Sequence, residues 1–282
     1  MIQLPSRNFW LRTLFGSLFA LLTAFFIFTS HLPLLSWLFV CGLTLLQAAA
    51  IREFLKLARL KGFAPASLML IICSSFYILS RYAVIVSPGR GHFPTLILFL
   101  STIACALSLL RHQKDAIANY SITFFGFIYV TFPLSLLLDI NFRAHPMWLV
   151  WLLVTTKGGD MIAYLAGKTI GKHPLAPMLS PKKTIEGAIC GCFGSAILSV
   201  LLASFWYTDT LSMKDWAWLG LIMGACAVLG DLSESLLKRD AQVKDSSAIP
   251  GLGGILDITD SLTFASPLLY FFLDVSYRLQ PL

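Results

Sequence analysis

The chain has 282 residues, of which 57% are hydrophobic and only 12% charged, with a formal net charge of +7. So few charges spread through so much apolar sequence exclude an ordinary soluble domain. The positive charge does not argue for a nucleic-acid partner, because it is distributed among the turns between apolar stretches rather than gathered in one patch.

In chain order, apolar stretches recur at residues 13–30, 33–51, 65–86, 94–110, 120–139, 146–166, 185–207, 215–236 and 255–275, about nine in all. Each is near the roughly 17–25 residues a helix needs to cross a hydrocarbon core. The predicted fold is therefore all-α, a polytopic membrane helical bundle of about nine transmembrane helices, since a helix satisfies its own backbone groups in lipid. The first stretch has no small-residue cleavage site after it and reads as a retained span. Alternating the spans from a cytoplasmic N-terminus puts about 15 of the 21 Lys and Arg residues on the cytoplasmic side and about five opposite: Arg81, Arg90, Arg143, Lys214 and Arg278. That bias predicts the N-terminus inside and the C-terminus outside. The six cysteines all lie in apolar segments, where cysteine acts as a small hydrophobe.

The chemistry is unevenly divided. Residues 1–145 read as scaffold helices joined by short polar turns, with Glu53, Asp115 and Asp139 as their acidic residues. The basic run of residues 52–65, REFLKLARLKGFAP, reads as a cytoplasmic anchor that also attracts anionic lipid headgroups, with a lipid-substrate entry surface as the alternative. Residues 146–282 read as the catalytic region.

The first constellation there is TKGGDMIAYLAGKTIGKHPLAPMLSPKKTIEG, residues 156–187. Lys157 and Asp160 stand i, i+3 on an apolar helix, and Tyr164 and Lys168 continue their face. Glycines 158, 159, 167 and 171 permit close approach of a helix or ligand. The turn that follows predicts a helix capped by Ser180 with Pro181 at its first position, carrying Lys182, Lys183 and Thr184 and then Glu186. A helix N-terminus with two lysines is an anion site.

The second constellation is DLSESLLKRDAQVKDSSAIPGLGGILDITDS, residues 231–261. A carboxylate costs roughly 2.5–3.5 kcal/mol at a bilayer centre, so several within two spans imply a task. Asp231, Glu234, Ser235 and Lys238 share one helix face, and Asp257, Asp260 and Ser261 share another. Glu234 and Lys238 are spaced as an i, i+4 pair, whereas Asp231, Asp257 and Asp260 have no basic residue at helical spacing within their own spans. Two acidic faces joined by a loop containing Lys238, Arg239 and Lys244 suit a divalent metal and a polyphosphate.

These two regions resemble the phosphatidate cytidylyltransferases, or CDP-diacylglycerol synthases. The resemblance rests on Ser235, Lys238, Arg239, Lys244, Asp245, Pro250, Gly253, Gly254, Asp257 and Asp260. It extends upstream to Asp160, Ala163, Tyr164, Gly167, Lys168, Gly171, Lys172, Pro177, Ser180, Pro181, Lys182, Lys183, Thr184, Glu186 and Gly187. It is strong over about residues 156–267. Leu252 stands where the family often has His, and Ile258 where it often has Arg. The resemblance implies transfer of a cytidylyl group from CTP to phosphatidate, in the bacterial inner membrane, at a site facing the cytoplasm.

The resemblance further implies Mg²⁺ held by Asp231 and Asp257, with Asp260 and Asp160 as candidates for supporting it or holding a second, monovalent cation. Asp231, Asp257, Lys238 and Arg239 are then the catalytic residues. The substrate-binding set is Lys157, Asp160, Tyr164, Lys168, Ser180, Lys182, Lys183, Thr184, Ser235, Lys244, Asp245, Gly253 and Gly254. Membrane lipids and a second copy of the chain are the remaining partners the family leads one to expect. Two other readings compete. A CTP-dependent lipid-alcohol kinase shares parts of this region but needs a general base. A secondary transporter would show repeated halves, whereas here the polar chemistry is confined to one half.

Overall fold

A computed structural model describes residues 20–87, 89, 91–110, 114–205, 211–244 and 254–277. It is almost entirely helical. The elements are α1 (Ala20–Thr29), α2 (Pro33–Leu60), α3 (Ser67–Val86), α4 (Phe93–Leu109), α5 (Ala116–Ala144), α6 (Pro146–Ile170), β1 (Pro174–Ala176), β2 (Ser180–Thr184), α7 (Ile185–Phe205), α8 (Met213–Asp240) and α9 (Ile255–Tyr277). Among the described residues, six helices are long and apolar enough to cross a membrane: α2, α3, α5, α6, α7 and α8. Large apolar side chains such as Leu45, Phe99, Phe193 and Leu201 are exposed on the helix surfaces, as expected where the surrounding medium is lipid. The chain is an integral membrane protein.

Two compact units are present. The first comprises the described residues of 1–146 together with those of 241–259, and the second those of 147–240 and 260–279.

In the first unit, Val40, Ile51, Ile78 and Leu138 are fully buried. Polar residues inside it are paired: Gln47 donates to Thr131 at 3.5 Å, and Thr131 to Ser74 at 2.8 Å. Helix α5 contains π-helical turns at Phe127–Thr131 and Ile140–Ala144. The first lies just before and under Pro133, whose ring would collide with a carbonyl four residues back in a regular helix, and the wider turn relieves this. Asp139 near the end of α5 accepts from Arg81 and Arg143, the latter at 3.3 Å, so two arginines assigned by sequence to the same side of the membrane meet at one carboxylate.

In the second unit, α7 and α8 pack through small residues. A Cβ on Gly224 would lie 2.7 Å from the hydroxyl of Ser195, and a Cβ on Gly191 would lie 2.7 Å from the Cβ of Ala163 on α6. Such stripes let membrane helices approach closely enough for backbone hydrogen bonding. Ser195 donates to the carbonyl of Thr155 at 2.9 Å, and Ser199 to that of Trp216 at 2.6 Å. Trp148, Trp151 and Trp216 form a buried aromatic cluster, with Trp148 and Trp216 stacked at 5.1 Å.

One sequence expectation is corrected here. Ser180 does not cap a helix. Residues 180–184 are strand β2, paired antiparallel with β1. The helix starts at Ile185, and Thr184 is its cap, accepting from the amide of Gly187 at 3.1 Å. Pairing with Pro174 and Ala176 gives the Ser-Pro-Lys-Lys segment backbone partners that a helix start could not offer, and proline is tolerated in such a short edge strand. Glu186 then folds back onto the amides of Lys172 and His173 and tethers the hairpin to α7.

Candidate functional site

The site is built from three helices and the hairpin of the second unit. Gly230 on α8 is the point of closest approach: a Cβ there would strike the backbone carbonyl of Asp260 on α9. This contact brings together the acidic faces that follow. Ligand oxygens of Asp231, Glu234 and Asp260 all lie within 4.8 Å of one another. Three carboxylates so close repel one another by roughly 3 kcal/mol per pair at an effective dielectric of about 20, so the cluster needs positive charge.

Three lysines supply it, one for each carboxylate. Lys238 and Glu234 form an ion pair at 2.8 Å, and both side chains are buried. Lys157 of α6 bonds Asp260 at 3.3 Å. Lys183 of β2 pairs with Asp231. The sequence showed only the first pairing, since the other two cross between elements. Asp160 lies within electrostatic reach of Lys157, Asp231 and Lys183. The donor set is entirely hard carboxylate oxygen, and its spacing fits Mg²⁺ or a similar cation that keeps further positions for water or phosphate.

The remaining candidates fall at different distances from this centre. Arg239 donates to the carbonyl of Leu179, which ties the end of α8 to the hairpin. Lys182 is exposed while its neighbour Lys183 turns inward, as expected for alternation along a strand. Ser180, Thr184 and Ser235 are half-buried, and Tyr164, Lys168 and Lys244 are exposed. Asp257 stands one turn before Asp260 on α9, belongs to the first unit, and accepts from the amide of the buried Gly254 at 2.7 Å. Asp245 and Gly253 lie outside the described residues.

Two residues not assigned by sequence join the picture. Glu234 is the third member of the carboxylate cluster, and its position three residues after Asp231 was the available signal. Glu53 on α2 accepts from the amides of Ile255 and Leu256, each at 2.9 Å. Nothing in the sequence near Glu53 points to that contact.

A polytopic helical membrane protein with a carboxylate–lysine centre suited to a metal and phosphates is the class that fold and site define. A sequence profile described as the Cytidylyltransferase family matches residues 10–276. A phosphatidate cytidylyltransferase of Synechocystis is 35% identical over 278 residues, covering 86% of this chain and 90% of the relative. One from Chlamydia trachomatis is 35% identical over 190 residues, covering 63% of this chain and 62% of the relative, so the chain spans under two thirds of that protein's length. Phosphatidate cytidylyltransferase 4, chloroplastic, of Arabidopsis thaliana is 30% identical over 280 residues, covering 86% and 69% respectively. The chain belongs to the cytidylyltransferase family.

Proposed function

We propose that this protein is a phosphatidate cytidylyltransferase: it transfers the cytidylyl group of CTP to phosphatidate, giving CDP-diacylglycerol and pyrophosphate for phospholipid biosynthesis. The observation that carries the reading is the carboxylate cluster of Asp231, Glu234 and Asp260, each member matched by a lysine. A phosphate oxygen of phosphatidate attacks the α-phosphorus of CTP. The bond to the bridging oxygen breaks, and pyrophosphate leaves with that oxygen. The attacking phosphate is already an anion, so the reaction needs no strong base and depends on positioning and charge neutralisation.

Asp231 and Asp257, with Asp260 and Glu234, hold Mg²⁺; a second, monovalent cation near Asp160 belongs to the same reading. Magnesium, when bound, supplies charge neutralisation on the triphosphate. Lys157, Lys182, Lys183, Lys238, Arg239 and Lys244 are the chain's own cations for the phosphates of CTP and phosphatidate. With the carboxylates holding a metal, Lys157, Lys183 and Lys238 would be available to the phosphates. The acyl chains stay in lipid beside it. The site faces the cytoplasm, where CTP is, with about nine spans, the N-terminus inside and the protein in the bacterial inner membrane; the bias of basic residues supports this orientation. The protein works as a homodimer.

The test is incorporation of label from CTP into lipid by purified protein with phosphatidate and Mg²⁺. Label from the α-phosphate must enter lipid and label from the γ-phosphate must leave as pyrophosphate. Transfer of γ-label to a lipid alcohol would replace the reading with a kinase. Uptake into liposomes without lipid labelling would replace it with a transporter.

A further inference from the structure

The start of α9 is held by two carboxylates. Asp257 accepts from the amide of Gly254 at 2.7 Å, and Glu53 accepts from the amides of Ile255 and Leu256, one through each of its oxygens, both at 2.9 Å. The first amides of a helix have no partner within it. Here a carboxyl side chain arriving from 202 residues earlier in the sequence satisfies two of them. Glu53 is 8% exposed. The arrangement of the two bonds also matters: two consecutive amides both point out of the helix N-terminus but sit about 100° apart around its axis, so gripping both fixes the rotation of the first turn as well as its position. A single bond would leave that turn free to swivel.

Asp257 is the third residue of the turn so gripped, and Asp260 follows one turn on along the same helix. We infer that Glu53 is a positioning residue for the reaction: through the amides of Ile255 and Leu256 it sets the direction in which the first turn of α9 presents Asp257. The inference rests on the proposed function insofar as Asp257 holds Mg²⁺. It gives α2 a part beyond scaffold, through Asp257 of the same unit. Groups that orient metal ligands from behind are worth about 10–100-fold in metal affinity, which sets the expected scale.

The experiment compares Glu53→Ala, Glu53→Gln and Asn119→Ala in the full chain in detergent. Asn119 is a buried residue of α5 whose side chain accepts from the amide of Ala64 at 2.8 Å, so its loss reports on losing a side chain–backbone bond elsewhere. Three quantities are measured: hydrogen exchange at residues 254–259, the Mg²⁺ concentration giving half-maximal cytidylyl transfer, and the Mg²⁺ concentration giving half the maximal thermal shift without CTP. Glu53→Ala should speed exchange in the first turn of α9 about tenfold and raise both magnesium midpoints by about tenfold or more. Glu53→Gln keeps one acceptor oxygen and should fall between it and the wild type. Asn119→Ala should lower the melting temperature and leave both magnesium midpoints unchanged.

A folded Glu53→Ala protein with wild-type magnesium midpoints would overturn the inference, as would an equal rise in Asn119→Ala. Should Glu53→Ala fail to fold, Glu53→Gln decides by the same two midpoints. A wild type that makes no CDP-diacylglycerol would defeat the proposed function alone, because the thermal-shift midpoints still compare the variants. A wild type with no magnesium-dependent shift would defeat the inference.

Discussion

The backbone carbonyl of Asp260 occupies the space that a side chain on Gly230 would need. Glycine at position 230 is what lets α8 and α9 meet, and the residue after it, Asp231, gains its place beside Asp260 from that contact. Gly230→Ala should therefore cost about 1–3 kcal/mol, the usual penalty of forcing a methyl into a packed interface. It should lose far more activity than stability. Melting temperature and turnover measured on the same preparation check this; a variant with more than half of wild-type turnover would show that the contact does not set the site.

Asp231→Asn, Asp257→Asn and Glu234→Gln each remove a charge assigned to the metal or its immediate surroundings. Loss of a main electrostatic stabiliser is worth about 10³-fold in rate, so the two aspartate variants should fall by at least that factor while remaining folded. Glu234→Gln also removes the charge that faces buried Lys238 at 2.8 Å, and should lose stability as well as rate. Activity above a tenth of wild type in either aspartate variant would remove that residue from the metal. EDTA should silence the wild type, and added magnesium should restore it.

The two adjacent lysines of β2 should differ. Lys183 pairs with Asp231 and Lys182 is exposed. Lys183→Ala should reduce kcat/KM for CTP by about tenfold or more, the scale of one lost charged contact of 1.4 kcal/mol or greater. Lys182→Ala should act less strongly, and Lys172→Ala less again. Steady-state kinetics with CTP and phosphatidate varied in turn decide it, and equal small effects from all three would make the hairpin merely structural.

Lys157 bonds Asp260 at 3.3 Å, and Ile258 stands where the family often has arginine. Lys157 is a candidate for the charge that arginine would bring, since it pairs with Asp260. Lys157→Ala should abolish most activity, and Ile258→Arg in that background should recover part of it. A fully active Lys157→Ala protein excludes this compensation.

Orientation is open to fusion reporters. With the N-terminus inside and nine spans, alkaline phosphatase fused to the C-terminus should be active and green fluorescent protein dark. The reverse pattern would put the basic turns on the side without CTP.

Much of this molecule is written locally. Apolar stretches of spanning length, their basic flanks and the i, i+3 spacing of Asp231 with Glu234 and of Asp257 with Asp260 each follow from the properties of a short window of chain. The Glu234–Lys238 pair was legible for the same reason: both partners lie on one helix face. The Ser180 segment misled because Ser-Pro before Lys, Thr and Glu carries the local signature of a helix start. The competing strand depends on Pro174 and Ala176, and their pairing offers no comparable signature.

Side-chain spacing along a helix is fixed by its 3.6-residue period, so the sequence by itself determined the helical membrane character, the two acidic faces and the family, while the described residues hold six helices of spanning length against the nine expected. Which lysine neutralises which carboxylate, and which residue grips the start of α9, depend on contacts between segments far apart in the chain. Lys157 and Asp260 are 103 residues apart, and Glu53 and Ile255 are 202. No periodicity links such partners. They are decided by how closely helices can pack, and that closeness is set in turn by glycines at 191, 224 and 230, whose missing side chains become meaningful only when the neighbouring backbone is in place.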